Sequence, residues 1–312
     1  MKALVTGASG CLGWALCERL KADSRITEVR GLVRRADAEL PEGVLRCIGE
    51  LSDSEALKAA AEGVDLVFHL AAQVHTPEAT SEAFHEVNVT GTGRLLDTLD
   101  PERPPRVVFF STVAVYGEDT PPQGISEQAA PAPVTPYAKS KLAAEKLVRR
   151  WADDVGALAV ILRVATVYGP RDRGNMIRMI EAIHAGKFVL PGGGENRKTV
   201  VAARNVAEAA LTVAFLPSVR LAELPPVVVA DAKPVTVREL AQAMGGNPKS
   251  MPLRLSKVAA RLLGKSEQVK RLAADNVYLS ETIRKITGYS DAVTLSEGMS
   301  EAVAWWREHE RV

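Results

Sequence analysis

With 312 residues, a net charge of +1, and 46% hydrophobic against 25% charged residues, the chain reads as globular. It has room for one large α/β domain and a smaller appendage. The balanced charge and the lack of a long basic run argue against nucleic acid or a membrane as the main partner, and no apolar stretch is long enough to span a bilayer. Strand-like and helical runs then alternate. A strand at residues 3–5 leads through a glycine turn into a helix ending near residue 20. Strands follow at 28–33 and 44–48, a helix at 55–61, the apolar run 64–70, a longer helix at 82–99 and a strand at 107–110. A loop rich in Pro, Gln and Ala occupies 119–136, before a helix at 136–151 and a strand at 157–162. Beyond a helix at 176–185 and a proline–glycine loop at 190–194, the spacing predicts a strand at 227–230 and helices at 237–244, 253–263 and 295–306.

Continuous apolar strands alternating with helices predict an α/β fold of Rossmann type: a doubly wound parallel sheet covered on both faces, with a smaller, mostly helical C-terminal substrate lobe. The expected division gives residues 1–169 and 199–234 to the dinucleotide-binding domain, and 170–198 and 235–312 to the lobe. Cys11, Cys17 and Cys47 have no metal-ligand spacing and the five histidines no cluster, so no metal site is expected. The cysteine usage, together with a strand at the first residues and no signal peptide before it, predicts a cytoplasmic protein.

The run Thr6-Gly7-Ala8-Ser9-Gly10-Cys11-Leu12-Gly13 lies between the first strand and the first helix. Its glycines permit a tight turn and close approach of a pyrophosphate, and the helix start offers free N–H groups to that anion. Gly7, Ser9, Gly10, Cys11, Leu12 and Gly13 are therefore expected cofactor contacts. Where NAD-binding chains place a carboxylate for the ribose hydroxyls, this one has Arg34 and Arg35. Guanidinium groups there suit a 2′-phosphate, so NADP is expected, with Asp37 leaving NAD open. Glu50 and Leu51, after the third strand, are placed at the adenine edge.

Tyr137 and Lys141 are four apart on a predicted helix and share a face. The ammonium is expected to draw the phenol pKa down from about 10 toward neutrality, where it serves as acid or base. Thr112, at the carboxyl end of a strand where ligands of open α/β sheets bind, can hold a substrate oxygen shared with Tyr137.

Taken together, TGASGCLG, HLAA (residues 69–72), NVTGT (88–92), FFSTVAVYGE (109–118), PYAKSKLAAE (136–145), LRVATVYGP (162–170), NVAEA (205–209) and LSEGMSEAVAWW (295–306) resemble an extended short-chain dehydrogenase/reductase of the NAD-dependent epimerase/dehydratase family. The resemblance implies that Tyr137 is the acid/base, Lys141 its electrostatic partner and ribose ligand, and Thr112 the ligand of the substrate hydroxyl. It implies further that Leu70, Ala71, Ala72 and Asn88 line or support the cofactor. Val113-Ala114 stand where the family's dehydratases carry Asp-Glu, which argues against dehydration. Val113, Asn175 and Arg197 join Thr112 as implied substrate contacts, with Asn175 capping the helix at 176–185 and its N-terminus facing a diphosphate. The expected activity is hydride transfer on a nucleotide-sugar, as a 4-epimerase or 4-ketoreductase. The alternative is an NADP-dependent dehydrogenase of hydrophobic ketones and alcohols, of hydroxysteroid dehydrogenase or dihydroflavonol reductase type, toward which Asn205 leans. Family analogy also implies a homodimer built on the helix at 137–151.

Overall fold

The computed structural model describes residues 1–74, 80–117, 120–121, 123–222, 224–262 and 264–309. Glu118 and Asp119, at the start of the long loop, and Leu263, expected to end a helix, lie outside them. In chain order the first part comprises β1 (Lys2–Thr6), α1 (Cys11–Lys21), β2 (Glu28–Val33), β3 (Leu45–Ile48), α2 (Ser54–Ala61), β4 (Leu66–His69), α3 (Ser81–His85), α4 (Gly91–Asp97), β5 (Arg106–Thr112), α5 (Pro136–Val155) and β6 (Ala159–Val164). Then follow β7 (Thr166–Tyr168), α6 (Asn175–His184), β8 (Leu190–Pro191), β9 (Arg197–Lys198), β10 (Val200–Ala202), α7 (Ala203–Ala214), α8 (Ser218–Ala222) and β11 (Val227–Val229). The chain closes with β12 (Val235–Thr236), α9 (Val237–Ala243), β13 (Ser250–Met251), α10 (Leu253–Leu262), α11 (Ser266–Ala273), α12 (Thr282–Thr287) and α13 (Leu295–His309). Among the described residues no helix is long and apolar enough to cross a membrane.

Seven strands form one parallel sheet in the order β3-β2-β1-β4-β5-β6-β11. Strand alternation divides the core between its faces: Ala3 and Val5 of β1 pack with α1 and α7, while Leu4 packs with α2, α4 and α5. Both faces are covered, which is why the inner strands read as unbroken apolar runs. The strand order reverses between β1 and β4, whose ends bring Thr6 opposite His69. The binding crevice of such a sheet opens at this point, at the carboxyl edge.

A separate apolar cluster gathers Tyr168, Ile180, Leu240, Met244, Met299 and Trp306 from β7, α6, α9 and α13 with its margins. The expected boundary is crossed by one returning segment. Tyr278, Ile283 and Tyr289 pack into the sheet's own core beside β11, because the buried Glu127 carboxylate in the 120–136 loop accepts from the Val228 and Thr282 N–H groups (2.7 and 2.8 Å) and ties all three stretches together. The helix expected at 82–99 is interrupted: α3 and α4 are joined by a π-helical turn, Glu86–Thr90.

Candidate active site

Each of the three glycines after β1 has a distinct reason to be there. Gly7 has φ +72°, and a Cβ on it would stand 3.0 Å from the Ala71 nitrogen. At Gly13 a Cβ would lie 2.2 Å from the Gly7 carbonyl oxygen, so α1 can rest on the turn only without a side chain. Gly10 is exposed, and a Cβ there would enter the open mouth of the turn, meeting only the Gly7 oxygen at 3.4 Å. Among the described residues no side chain caps the start of α1, and its first turn holds no acid. The N–H groups at this helix end are thus left for an anion, at the sheet's switch point. Ser9, Cys11 and Leu12 are half-buried around the turn. Burial pushes the Cys11 thiol up to about 12, so it lines the site as an unreactive apolar group.

Beneath the crevice runs a hydrogen-bond chain whose direction can be worked out. The Thr92 hydroxyl donates to the Asn88 carbonyl oxygen (2.7 Å), so it must accept from His69 Nε2 (2.9 Å). His69 Nδ1 then accepts from the Thr6 hydroxyl (2.7 Å). The Thr6 oxygen in turn accepts the Leu70 and Ala71 N–H groups (3.1 and 3.0 Å). Burial, with a smaller contribution from the nearby Lys141 charge, holds His69 down to about 3, so the imidazole is neutral in this one tautomer. The chain fixes the Leu70-Ala71-Ala72 backbone against Gly7. Asn88, held by the π-helical turn and 1% exposed, donates to the Gln73 carbonyl (3.1 Å) and the Ser140 hydroxyl (2.9 Å), and accepts from the Gln73 N–H (2.7 Å). Both amide hydrogens go to protein groups, so Asn88 clamps the β4 loop to α5. The HLAA and NVTGT segments mark this chain in the sequence, but His69, Thr6 and Ser140 carry no individual signal there.

The adjacent hydroxyls Ser111 and Thr112 at the end of β5 point to opposite faces. Ser111 is buried and donates to Glu145, which also binds Arg163 through two hydrogen bonds (3.1 and 2.7 Å). Thr112, half-buried at the strand end, accepts the Ala114 N–H (3.2 Å); Val113 beside it is buried. Thr135 caps α5 and Pro136 stands in its first turn. That helix carries Tyr137, Lys141 and Glu145 on one face, one turn apart. Tyr137 meets Phe84 edge-on at 6.0 Å, and the Lys141 ammonium sits 4.1 Å over the Phe109 ring. Here the expected electrostatics are corrected. Burial pushes the Tyr137 phenol up to about 12 and pulls Lys141 from 10.5 down to about 7, with Glu145 opposing the second shift. Loss of water around both groups sets both shifts.

Other expected contacts divide. Arg34 and Arg35 are exposed just past β2, with Arg35 donating to Asp37 (3.0 Å). Glu50 is exposed, and the Leu51 side chain is packed into the core against Gly91. Asn175 is not a cap. Asp172 accepts the Gly174 and Ile177 N–H groups (2.8 and 3.0 Å), and Asn175 is an exposed first helical residue. A carboxylate already occupies that helix end, so the diphosphate expected there would meet negative charge. Arg171, at φ +65°, stacks on Trp14 at 3.6 Å and pairs with Glu39 (2.5 Å). Arg197 is half-buried on β9; strand alternation sends its neighbour Lys198 the other way, onto the carbonyls of Arg271 and Ala274 (both 2.7 Å) that end α11. Asn205 is fully buried, bonded to Asp231 and to both backbone groups of Val293, and says nothing about substrate polarity.

Residues 3–219 match the model of the NAD dependent epimerase/dehydratase family. The chain belongs to this family. One relative is an N-acetyl-alpha-D-glucosaminyl-diphospho-ditrans,octacis-undecaprenol 4-epimerase of Escherichia coli O157:H7, 32% identical over 66% of this chain and 60% of its own. Another is a 4-hydroxy-2-methyl-3-oxo-4-farnesyl-3,4-dihydroquinoline-1-oxide ketoreductase of Stigmatella aurantiaca, 34% identical over 69% of this chain and 64% of its own. The chain thus spans under two thirds of the length of these curated relatives. The family fold extends end to end: a crystal structure of a Thermus thermophilus UDP-glucose 4-epimerase with NAD superposes with a TM-score of 0.76, at 26% identity, over 99% of this chain and 100% of that one.

Proposed function

We propose that this chain is a nucleotide-sugar 4-epimerase that works by hydride transfer with NAD as its resident cofactor. The observation that carries the reading is the uncapped glycine turn at the β1/β4 switch point, on the same sheet edge as Thr112 and the Tyr137–Lys141 pair. Gly7, Gly10 and Gly13 would hold the pyrophosphate, and the backbone at Leu70, Ala71 and Ala72 would line the dinucleotide. When bound, NAD supplies the hydride acceptor and donor. Tyr137 must be ionised to act as the base, and a cation beside it, Lys141 or the charged ring of bound NAD, would favour that form. As phenolate it takes the proton of the sugar hydroxyl as the carbonyl forms and returns it when the alcohol is restored. Thr112 hydrogen-bonds the same oxygen, and Lys141 sets the electrostatics around the phenol. Arg197, on β9 of the lobe, would be the cation that meets the diphosphate. Residues 170–198 and much of 235–312 form the substrate lobe in this reading. Arg35 is engaged by Asp37, and the related structure holds NAD; both support NAD over NADP.

A second reading, reduction of an apolar ketone, is supported by the ketoreductase relative. One assay separates the two. An epimerase interconverts UDP-glucose and its 4-epimer with no net change in nicotinamide absorbance, whereas a ketoreductase consumes reduced cofactor stoichiometrically. Thermal protection by an apolar ketone, with none by UDP, GDP or dTDP at millimolar level, would overturn the epimerase reading.

A further inference from the structure

Helix α10 divides lengthwise into three strips. Ser256 and Ala260 are buried against the lobe. Leu255, Val258 and Leu262 are 59%, 55% and 83% exposed; their i, i+3, i+7 spacing lines them up on one outward face. Arg254, Lys257 and Arg261 repeat the same spacing and form an exposed basic strip along its flank. Helix α11, packed against α10, buries no side chain. Residues 253–271 hold six basic residues and a single acid, Glu267, in a chain whose net charge is only +1. None of Arg254, Lys257, Arg261, Lys265 and Lys270 pairs with a carboxylate among the described residues.

We propose that α10 and α11 form a docking surface for an anionic lipid bilayer, on which the protein rests without crossing it. An aliphatic row beside a basic row is the pattern of a helix lying in the interfacial plane, its apolar side chains among the acyl chains and its cations at the headgroups. A second copy of the chain is a poor occupant, because two-fold pairing would bring the basic rows together. Three apolar side chains also fall well short of the roughly 1,600 Å² that a stable interface buries. Nucleic acid is disfavoured because its single strands stack on aromatic groups, and this face offers aliphatic ones. This surface departs from the sequence-based expectation of no membrane partner, which rested on total charge and averaged the local excess away. It also adjoins the candidate substrate groups. Leu253 packs at Gly192, ahead of β9, and Lys198, next to Arg197, holds the last carbonyls of α11.

The proposal does not depend on the hydride-transfer reading and is tested without turnover. The full chain is sedimented with vesicles of phosphatidylcholine alone, and of phosphatidylcholine and phosphatidylglycerol in equal parts, at low and high salt. Binding is expected on the anionic vesicles and weakens with salt. Each basic residue near such a surface is worth about five-fold in partitioning, so Arg254→Gln/Lys257→Gln/Arg261→Gln should lower binding roughly a hundred-fold. Leu255→Ser/Val258→Ser/Leu262→Ser should abolish it, both with unchanged melting temperature because the side chains are exposed. Failure of the wild type to sediment with anionic vesicles at low salt overturns the proposal. So does vesicle binding unmoved by either variant, or a monomer–dimer equilibrium that the serine variant abolishes in the absence of vesicle binding.

Discussion

Lys141 should destabilise the protein that uses it. Its side chain is 2% exposed, and burial takes its pKa from 10.5 to about 7. At about 1.4 kcal/mol per pKa unit, holding this group in the fold at neutral pH costs roughly 4 kcal/mol. Lys141→Met keeps most of the apolar stem and removes the charge. Allowing for imperfect packing, the variant should be about 2–4 kcal/mol more stable at pH 7 while losing turnover, a trade of function against stability. The pH dependence follows in sign. The folded protein releases the Lys141 proton near pH 7 and the unfolded chain only near 10.5, so in between the unfolded state binds more protons and wild-type stability rises with pH. The gap between variant and wild type is therefore full below pH 7 and closes toward pH 10. Urea unfolding of both proteins at several pH values in that window measures it. A variant less stable than wild type at pH 7, or a gap that stays constant with pH, would refute the reasoning.

Tyr137→Phe retains the ring packed on Phe84 and removes the proton carrier; turnover should fall about 10²–10⁴-fold with cofactor binding intact, as steady-state kinetics and titration will tell. Gly13→Ala drives a Cβ to 2.2 Å from the Gly7 carbonyl, so dinucleotide protection in a thermal melt should vanish even where the fold survives. Asp172→Ala removes the cap of α6 and should cost about 1 kcal/mol, whereas Asn175→Ala at the exposed first position should change stability by less than about 0.5 kcal/mol; denaturant midpoints compare the two.

The sheet was legible because its strands are short apolar runs and its helices have one apolar face, two patterns that single residues carry. The glycine turn and the Tyr137–Lys141 spacing were legible for the same reason: each is local. What escaped was set by partners far along the chain. Asp172 rather than Asn175 caps α6 because backbone geometry at Gly174 turns the earlier carboxylate onto Ile177. Asn205 reads as a substrate determinant until Val293, 88 residues away, takes up its amide. Glu127 looks like a loop carboxylate and instead caps α12, 155 residues later. The phenol of Tyr137 was misjudged because burial, which sequence spacing does not encode, dominates both titrations.

The most direct test of hydride transfer on a nucleotide-sugar is to supply UDP-glucose carrying deuterium at the sugar carbon whose configuration changes, with NAD and purified protein, and to follow product by mass spectrometry. Epimerised UDP-sugar that retains the deuterium, with no accumulation of reduced nicotinamide, is the predicted result. Absence of any converted UDP-sugar from protein that consumes reduced cofactor on an apolar ketone would contradict it.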